Sequence, residues 1–348
     1  MRALTAPYGP ERFIELVAPR FSLGEVRAEV TRVARPASGS VTLHLQANRN
    51  WTGFRAGQFV NVTVEIDGRR FTRCYSPACS EHAPERELEL TIRAHPHGLV
   101  SRHLGVHARP GLVLGLSQPA GEFVLPHPRP DHLVLVSGGS GITPVLAMLR
   151  TLVDEDHTGR VTFLHYTPSG DAHPYRALLD RLARRRPHLR VHVVGTRDRG
   201  LDRRRPHVSE RRLRELDRSF GDAEAYVCGP PTLIAATRAI WERAGAPGRV
   251  HSESFLPATV AAGAESGQVR FLRSDIEISS SGRSLLEQAE QAGLSPAYGC
   301  RMGICHTCTT RKLSGRVRDL RGGGLSSDEA QDVQLCVSVP AGDVELEL

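Results

Sequence analysis

A chain of 348 residues, 40% hydrophobic and 24% charged, is too long for one small core and predicts two or three globular domains. Its net charge of +7 is carried by arginine, since Lys312 is the only lysine; this reads as a coding bias and makes RLARRR (181–186) and LDRRRP (201–206) solvated faces. With no helix–turn–helix, zinc-finger or RNA-binding motif in the chain, nucleic acid is excluded as a partner.

No apolar run nears the roughly 18 residues that a membrane span needs. The start, MRALTAPYGPERFIELV, lacks the basic and apolar regions of a signal peptide, so the expected compartment is the cytosol. There, clustered cysteines mean metal or catalysis more often than disulfides.

Along the chain, residues 1–22 are weakly patterned, with ERFIELV suited to a turn or two of helix. From about Gly24 the alternating runs VRAEVTRV, SVTLHLQA, FVNVTVEI and LELTIRA predict antiparallel strands of a small barrel to about His127. After PHPRPDH, the apolar strand HLVLVSGG leads into a helix, TPVLAMLRTLV. VTFLHY and VHVVGT follow, each beside a helical stretch, and then AYVCGP leads into TLIAATRAIWERAG. Strands alternating with helices predict a doubly wound parallel sheet. PATVAAGAESG (257–267) is patternless and reads as a linker. The last segment offers a strand pair, VRFLRS and IEISS, a helix, SLLEQAEQAG, a cysteine loop and a final strand, VELEL. From Ser266 onward 9 basic residues face 11 acidic ones, an acidic module on a basic body, which favours docking.

The cysteine loop is YGCRMGICHTC (298–308). Cys300, Cys305 and Cys308 have the spacing C-x4-C-x2-C, and Cys336 follows after 27 intervening residues. That is the plant-type [2Fe–2S] pattern of four thiolates around two irons. Gly299 and Gly303 suit a loop that must turn its sulfurs inward. A four-cysteine zinc site would pair two C-x2-C knuckles, and this chain has one. A thioredoxin-like C-x-x-C would leave two cysteines unexplained, and a Rieske centre needs two histidines where only His306, a solvent-facing loop residue, stands.

Two strand ends suit a nucleotide. SGGSGITP (137–144) turns a strand into a helix, where glycines admit a pyrophosphate, free N–H groups attract anions and Pro144 needs no partner. YVCGPPTLI (226–234) repeats the device with Cys228, Gly229, Pro230 and Pro231. In the barrel, RCYSPAC (73–79) offers Arg73, Tyr75 and Ser76, and HGLVSRHL (97–104) offers a glycine–serine turn opening a helix. Either barrel segment alone also reads as an ordinary strand and turn.

Taken in order, R-x-Y-S (73–76), G-x-x-S (98–101), G-G-x-G-I-T-P (138–144) and C-G-P-P (228–231) resemble the ferredoxin–NADP⁺ reductase superfamily. With the C-terminal cysteine pattern, the chain from about residue 24 resembles the three-domain electron-transfer reductases that serve bacterial oxygenases, hydroxylases and fatty-acid desaturases. The resemblance implies a multidomain fold. An antiparallel β-barrel FAD-binding domain (23–127) would follow an N-terminal extension (1–22). An α/β doubly wound parallel-sheet NAD(P)-binding domain (128–256) and, past the linker, an α+β (β-grasp) plant-type ferredoxin domain (268–348) complete it.

The resemblance also implies roles. Arg73 contacts the flavin pyrophosphate, Tyr75 packs on the isoalloxazine and Ser76 bonds its N5 region, while Gly98, Leu99, Val100 and Ser101 hold flavin phosphate. Gly138, Gly139, Ser140, Gly141 and Thr143 cradle the pyridine-nucleotide pyrophosphate. Cys228, with Gly229 and Pro230, sits near the nicotinamide, and Glu253 and Phe255 of HSESF lie near the flavin. Ser76, Cys228 and Glu253 are the expected catalytic residues, Cys300, Cys305, Cys308 and Cys336 the expected iron ligands, and Cys74 has no assigned chemistry.

The implied activity is hydride transfer from NAD(P)H to flavin and single-electron transfer through the cluster to a partner, because flavin reconciles a two-electron donor with a one-electron acceptor. The GLVS turn favours FAD over FMN. Thr167, Ser169 and Arg176, set against one acid, Asp171, favour NADPH over NADH. The expected partner is an oxygenase or a membrane di-iron desaturase or hydroxylase, reached by a cytoplasmic monomer that does not itself span the membrane. Alternatives are a stand-alone flavin, ferric or quinone reductase and, from a different class, a nucleotide-sensing zinc or redox regulatory protein.

Overall fold

The structure, a computed structural model, describes residues 20–36, 39–95, 98–168, 173–186, 188–197, 208–255, 267–299, 303, 306–321 and 323–348. ERFIELV, LDRRRP, Ser169, Asp171, Cys300, Cys305 and nearly all of the predicted linker lie outside the described residues. The chain divides into two compact units, 1–254 and 255–348.

The first unit opens with a six-stranded antiparallel sheet. Its strands are β1 (Val26–Ala34), β2 (Ser40–Ala47), β3 (Val60–Ile66), β4 (Arg69–Tyr75), β5 (Glu87–Arg93) and β6 (Val113–Leu116), in the order β4-β3-β6-β1-β2-β5. The sheet is barrel-like, its end strands β4 and β5 coming close to each other. Burial alternates along β1, β3 and β5, so Val26, Ala28, Val30, Val60, Val62, Val64, Leu88, Leu90 and Ile92 turn inward to one core. Fully burying each Val, Leu or Ile stabilises the fold by about 1.5–3 kcal/mol. Helix α1 (Leu99–His107) follows β5 and starts at Gly98.

The other half of this unit is a parallel sheet of β7 (His132–Gly138), β8 (Arg160–Thr167), β9 (Leu189–Gly195), β10 (Glu224–Cys228) and β11 (Val250–Glu253), in the order β11-β10-β7-β8-β9. Its helices are α2 (Ile142–Asp154), α3 (Arg176–Arg185), α4 (Glu210–Leu216) and α5 (Pro231–Arg243). Leu133 to Val136 are fully buried, as a central strand covered on both faces requires. The chain builds outward from β7 to β9 and then returns to the other side of β7 with β10, so the order reverses between β7 and β10. Ligands bind at such a switch point, outside the carboxyl ends of the strands.

The two halves are clamped by Arg129. One guanidinium nitrogen lies 2.5 Å from Glu81 Oε1 and 2.7 Å from Glu155 Oε1, and all three side chains are largely buried. Glu81, His82 and Glu155 together could chelate a cation, but Arg129 already supplies their counter-charge. That guanidinium holds the Glu155 carboxyl down to about 2.

The second unit is a mixed five-stranded sheet. Its strands are β12 (Gln268–Phe271), β13 (Ile276–Ser279), β14 (Thr309–Asp319), β15 (Gln331–Gln334) and β16 (Ser338–Leu346), in the order β13-β12-β16-β14-β15, with α6 (Leu285–Gln291) packed into its core. β12 and β16 pair in parallel and the remaining pairs are antiparallel. The Ser284 hydroxyl caps α6 by accepting from Glu287 N. β14 and β15, like β11 and α4, are not evident as elements in the sequence, because charged residues interrupt their apolar patterns.

Candidate functional site

The carboxyl ends of β7 and β10 meet closely. β7 and β10 pair in register with Ser137 opposite Cys228, and the glycine turn continues from there into α2. A methyl group on Gly141 would stand 2.3 Å from the Cys228 carbonyl oxygen, so side-chain absence at 141 is required by the packing of one turn on the other. Gly139 is different: its φ is +57° and nothing lies within 4 Å of where a Cβ would be. The turn thus presents open backbone at Gly139 and exposed Ser140, while Thr143 is buried and its hydroxyl donates to Ser140 O at 3.3 Å. Gly138 and Gly229 are buried between the two turns, and Pro230 and Pro231 open α5 from an exposed position.

Cys228 and Glu253 end neighbouring strands and are register partners. Cys228 is fully buried; burial first, and the Glu253 charge second, push its thiol well above the usual range. Burial pushes the Glu253 carboxyl up to about 8, and its Oε2 has no hydrogen-bond partner among the described residues. A carboxyl in that environment is protonated at neutral pH. Phe255 is half-buried at the start of the second unit.

In the barrel sheet, Arg73 and Tyr75 are half-buried on β4 and Ser76 is buried just beyond it. Arg73 donates to Thr72 O at 2.7 Å, and Tyr75 packs on the barrel core, where burial raises its phenol. The Ser76 hydroxyl is buried without a partner among the described residues. At the start of α1, Ser101 Oγ accepts from His95 N at 3.2 Å and closes the turn on Gly98. Val100 is buried, while Leu99 is exposed.

Orphaned buried polar atoms at Ser76 and Glu253 fit a flat polar cofactor that completes their hydrogen bonds, because such atoms are costly to leave unpaired.

A cavity of about 180 Å³ adjoins the glycine turn. Gly139, Ser140 and Thr143 line it from the turn, Thr167 from the end of β8, His173 from the segment before α3, and Arg93 from the barrel sheet. Arg93 is exposed and has no partner among the described residues. Sequence reading missed Arg93 and His173, since nothing local to either shows that a β5 end faces a β7 turn. Arg176, counted for NADPH, is held by Asp180 on its own helix at 3.0 Å.

In the second unit, Cys308 and Cys336 are buried. Leu335 N donates to Cys308 O at 3.1 Å, which fixes the segment of one cysteine against that of the other. Gly303, at φ +75°, has its carbonyl held by Arg321 Nη1 at 2.6 Å, and His306 is exposed. Two buried cysteines 28 residues apart, on segments held together by that backbone bond, fit a metal cluster.

Three domain families match in order: an oxidoreductase FAD-binding domain at residues 31–125, an oxidoreductase NAD-binding domain at 135–239 and a 2Fe-2S iron-sulfur cluster binding domain at 270–341. An NADPH oxidoreductase of Mycobacterium tuberculosis is 33% identical over 99% of this chain and 90% of its own. The glycine betaine monooxygenase reductase subunit of Pseudomonas aeruginosa is 29% identical over 84% of this chain and 87% of its own. The solved phthalate dioxygenase reductase superposes with a TM-score of 0.65, at 23% identity, over 93% of this chain and 98% of that one.

Proposed function

The chain belongs to the three-domain reductases of the ferredoxin–NADP⁺ reductase superfamily, and from that premise we propose which residues act and on what. It is an NAD(P)H-dependent oxidoreductase that passes hydride to FAD and single electrons on to a [2Fe–2S] cluster for an oxygenase-type partner. Flavin supplies the step between a two-electron donor and a one-electron acceptor.

The remaining work falls to this chain's residues. Arg73 and the Gly98–Ser101 turn hold flavin phosphates, and Tyr75 flanks the ring. Ser76 and protonated Glu253 offer hydrogen-bond donors to ring heteroatoms. Gly138 to Thr143 and the α2 N-terminus take the nucleotide pyrophosphate, and Cys228 with Gly229 and Pro230 forms the floor beneath the nicotinamide. Cys300, Cys305, Cys308 and Cys336 ligate the irons. The observation that carries this assignment is the packing of the β7 and β10 turns on each other at the switch point, with Glu253 buried and unpartnered beside them.

NADPH is the preferred donor. Arg93, His173, Thr167 and Ser140 converge on the cavity where the second strand ends, and a free guanidinium there suits a 2′-phosphate. Relatives named as reductase subunits of a glycine betaine monooxygenase and a stachydrine N-demethylase support an oxygenase as the partner, with a membrane di-iron desaturase or hydroxylase as the finer reading. No described helix is long and apolar enough to cross a membrane. The test is Cys305→Ser. Flavin bleaching by NADPH should persist while reduction of cytochrome c or the oxygenase stops; normal acceptor reduction by that variant overturns the proposed order.

A further inference from the structure

We propose that Glu89 is a positioning residue for hydride transfer, fastening both halves of the pyridine-nucleotide site to the strand behind the flavin motif. Glu89 lies on β5, its side chain 12% exposed. Its two carboxylate oxygens are taken by two different elements of the nucleotide domain. Oε2 accepts from Arg150 Nη1 at 3.0 Å, and Oε1 accepts from the Tyr175 hydroxyl at 3.0 Å.

Each partner leads to one half of the site. Arg150 is on α2, the helix that begins at the glycine turn. Tyr175 caps the start of α3, directly after His173 and Pro174, which line the cavity with Thr167. The same Arg150 nitrogen also donates to Ala78 O at 3.0 Å, two residues beyond Ser76, and Ala78 N donates to Glu89 O at 2.8 Å. The flavin segment, β5, α2 and the start of α3 therefore meet at one carboxylate.

The junction is partly buried and directional. Thr42, Thr91 and Tyr175 form a chain of hydroxyls, 2.8 Å and then 2.5 Å apart, which ends on a carboxylate that can only accept. Burial, and next the Glu89 charge, push the Tyr175 phenol well above its usual range, so it stays a donor. The Arg150 guanidinium is held charged against burial by that same carboxylate. Such charge-assisted bonds hold geometry tightly.

Geometry is what hydride transfer demands: the reacting atoms must approach to about 3–3.5 Å, and a misplacement of about 1 Å costs on the order of a hundredfold. Domains within a chain move relative to each other unless their interface is fixed. Glu89 fixes the nucleotide turn and the adenosine side against the flavin segment together. This inference rests on the assignment of residues 138–143 and the adjoining cavity to the nucleotide.

The test uses full-length holoprotein with Glu89→Gln, Glu89→Ala and Tyr175→Phe. Stopped-flow bleaching of flavin against NADPH concentration separates the limiting rate from apparent affinity. The limiting rate should fall by about tenfold or more in Glu89→Ala and by a lesser factor in Glu89→Gln and Tyr175→Phe. Flavin and cluster absorption, and reduction by dithionite, should be unchanged. Hydrogen–deuterium exchange of α2 and α3 without nucleotide should rise in the Glu89 variants. A limiting rate within twofold of the parent in Glu89→Gln and Tyr175→Phe overturns the proposal, even if Glu89→Ala fails to fold. A parent that neither NADPH nor NADH bleaches overturns the nucleotide reading instead, and the exchange measurement still decides whether Glu89 holds the seam.

Discussion

Cys228 and Glu253 stand side by side at the ends of β10 and β11, both buried, with the carboxyl protonated at neutral pH because nothing charged offsets its desolvation. A buried acid without a partner weakens a fold unless it serves a ligand. Two of the three residues expected to be catalytic, Ser76 and Glu253, carry such orphaned atoms.

Glu253 makes stability depend on pH in a definite direction. Its carboxyl is raised from 4.5 to about 8, so the folded chain binds more protons than the unfolded chain between those values. The contribution to stability is complete below the unfolded value and is lost as pH rises through about 8. Melting of flavin-free protein should therefore decline from pH 5 to 8 more steeply in the parent than in Glu253→Gln. Parallel melting curves for the two proteins contradict this.

The glycine turn should separate two kinds of glycine. Gly141→Ala drives a Cβ to 2.3 Å from a backbone oxygen that cannot yield, and should cost about 1–3 kcal/mol or more by overpacking. Gly139→Ala meets open space and should cost about 1–2 kcal/mol, from its left-handed backbone alone. Only the latter variant should leave the distance between the β7 and β10 turns unchanged. Urea denaturation of both proteins, with crystallography of Gly139→Ala, measures this.

Lys312, the lone lysine, is fully buried on β14, its ammonium donating to Ser327 O at 3.1 Å and Glu329 O at 2.7 Å. Those carbonyls lie on the loop that leads through β15 to Cys336. Lys312→Met should cost on the order of 2 kcal/mol by leaving both carbonyls unpaired, and Lys312→Arg about 1–3 kcal/mol by overpacking. Both should release the cluster at lower temperature, followed by loss of visible absorption on heating. Retention equal to the parent in both variants removes the strut from Lys312.

Arg93 should choose the nucleotide. Arg93→Ser should raise the KM for NADPH by about tenfold or more, the value of a charged hydrogen bond, while the KM for NADH stays put. Raising salt should weaken NADPH binding in the parent more than in the variant. An equal change for both nucleotides shows that Arg93 does not read the 2′-phosphate.

The domain order and most strands were legible because their signals are local. β1, β2, β3 and β5 alternate at period two, β7 is an unbroken apolar run, and the cysteine spacing from 300 to 308 is a covalent fact of the chain. The strand β14 escaped because Lys312, one of its two buried residues, is charged, and Arg311, Arg316 and Arg318 surround the pair. Arg176 looked available from its place after β8, and Asp180, one helical turn on, occupies it.

Spacing alone thus determined the kinds of chemistry this chain can hold: a cluster loop, an anion-binding turn and a flavin-type strand motif. Which polar atoms are left without partners, and which carboxylate fastens the halves together, was decided only by the fold. Glu89 and Tyr175 are 86 residues apart, and no local pattern carries information across that distance. Periodicity reports which face of an element turns inward, whereas a buried group's partner and proton depend on whatever other segment packs against it.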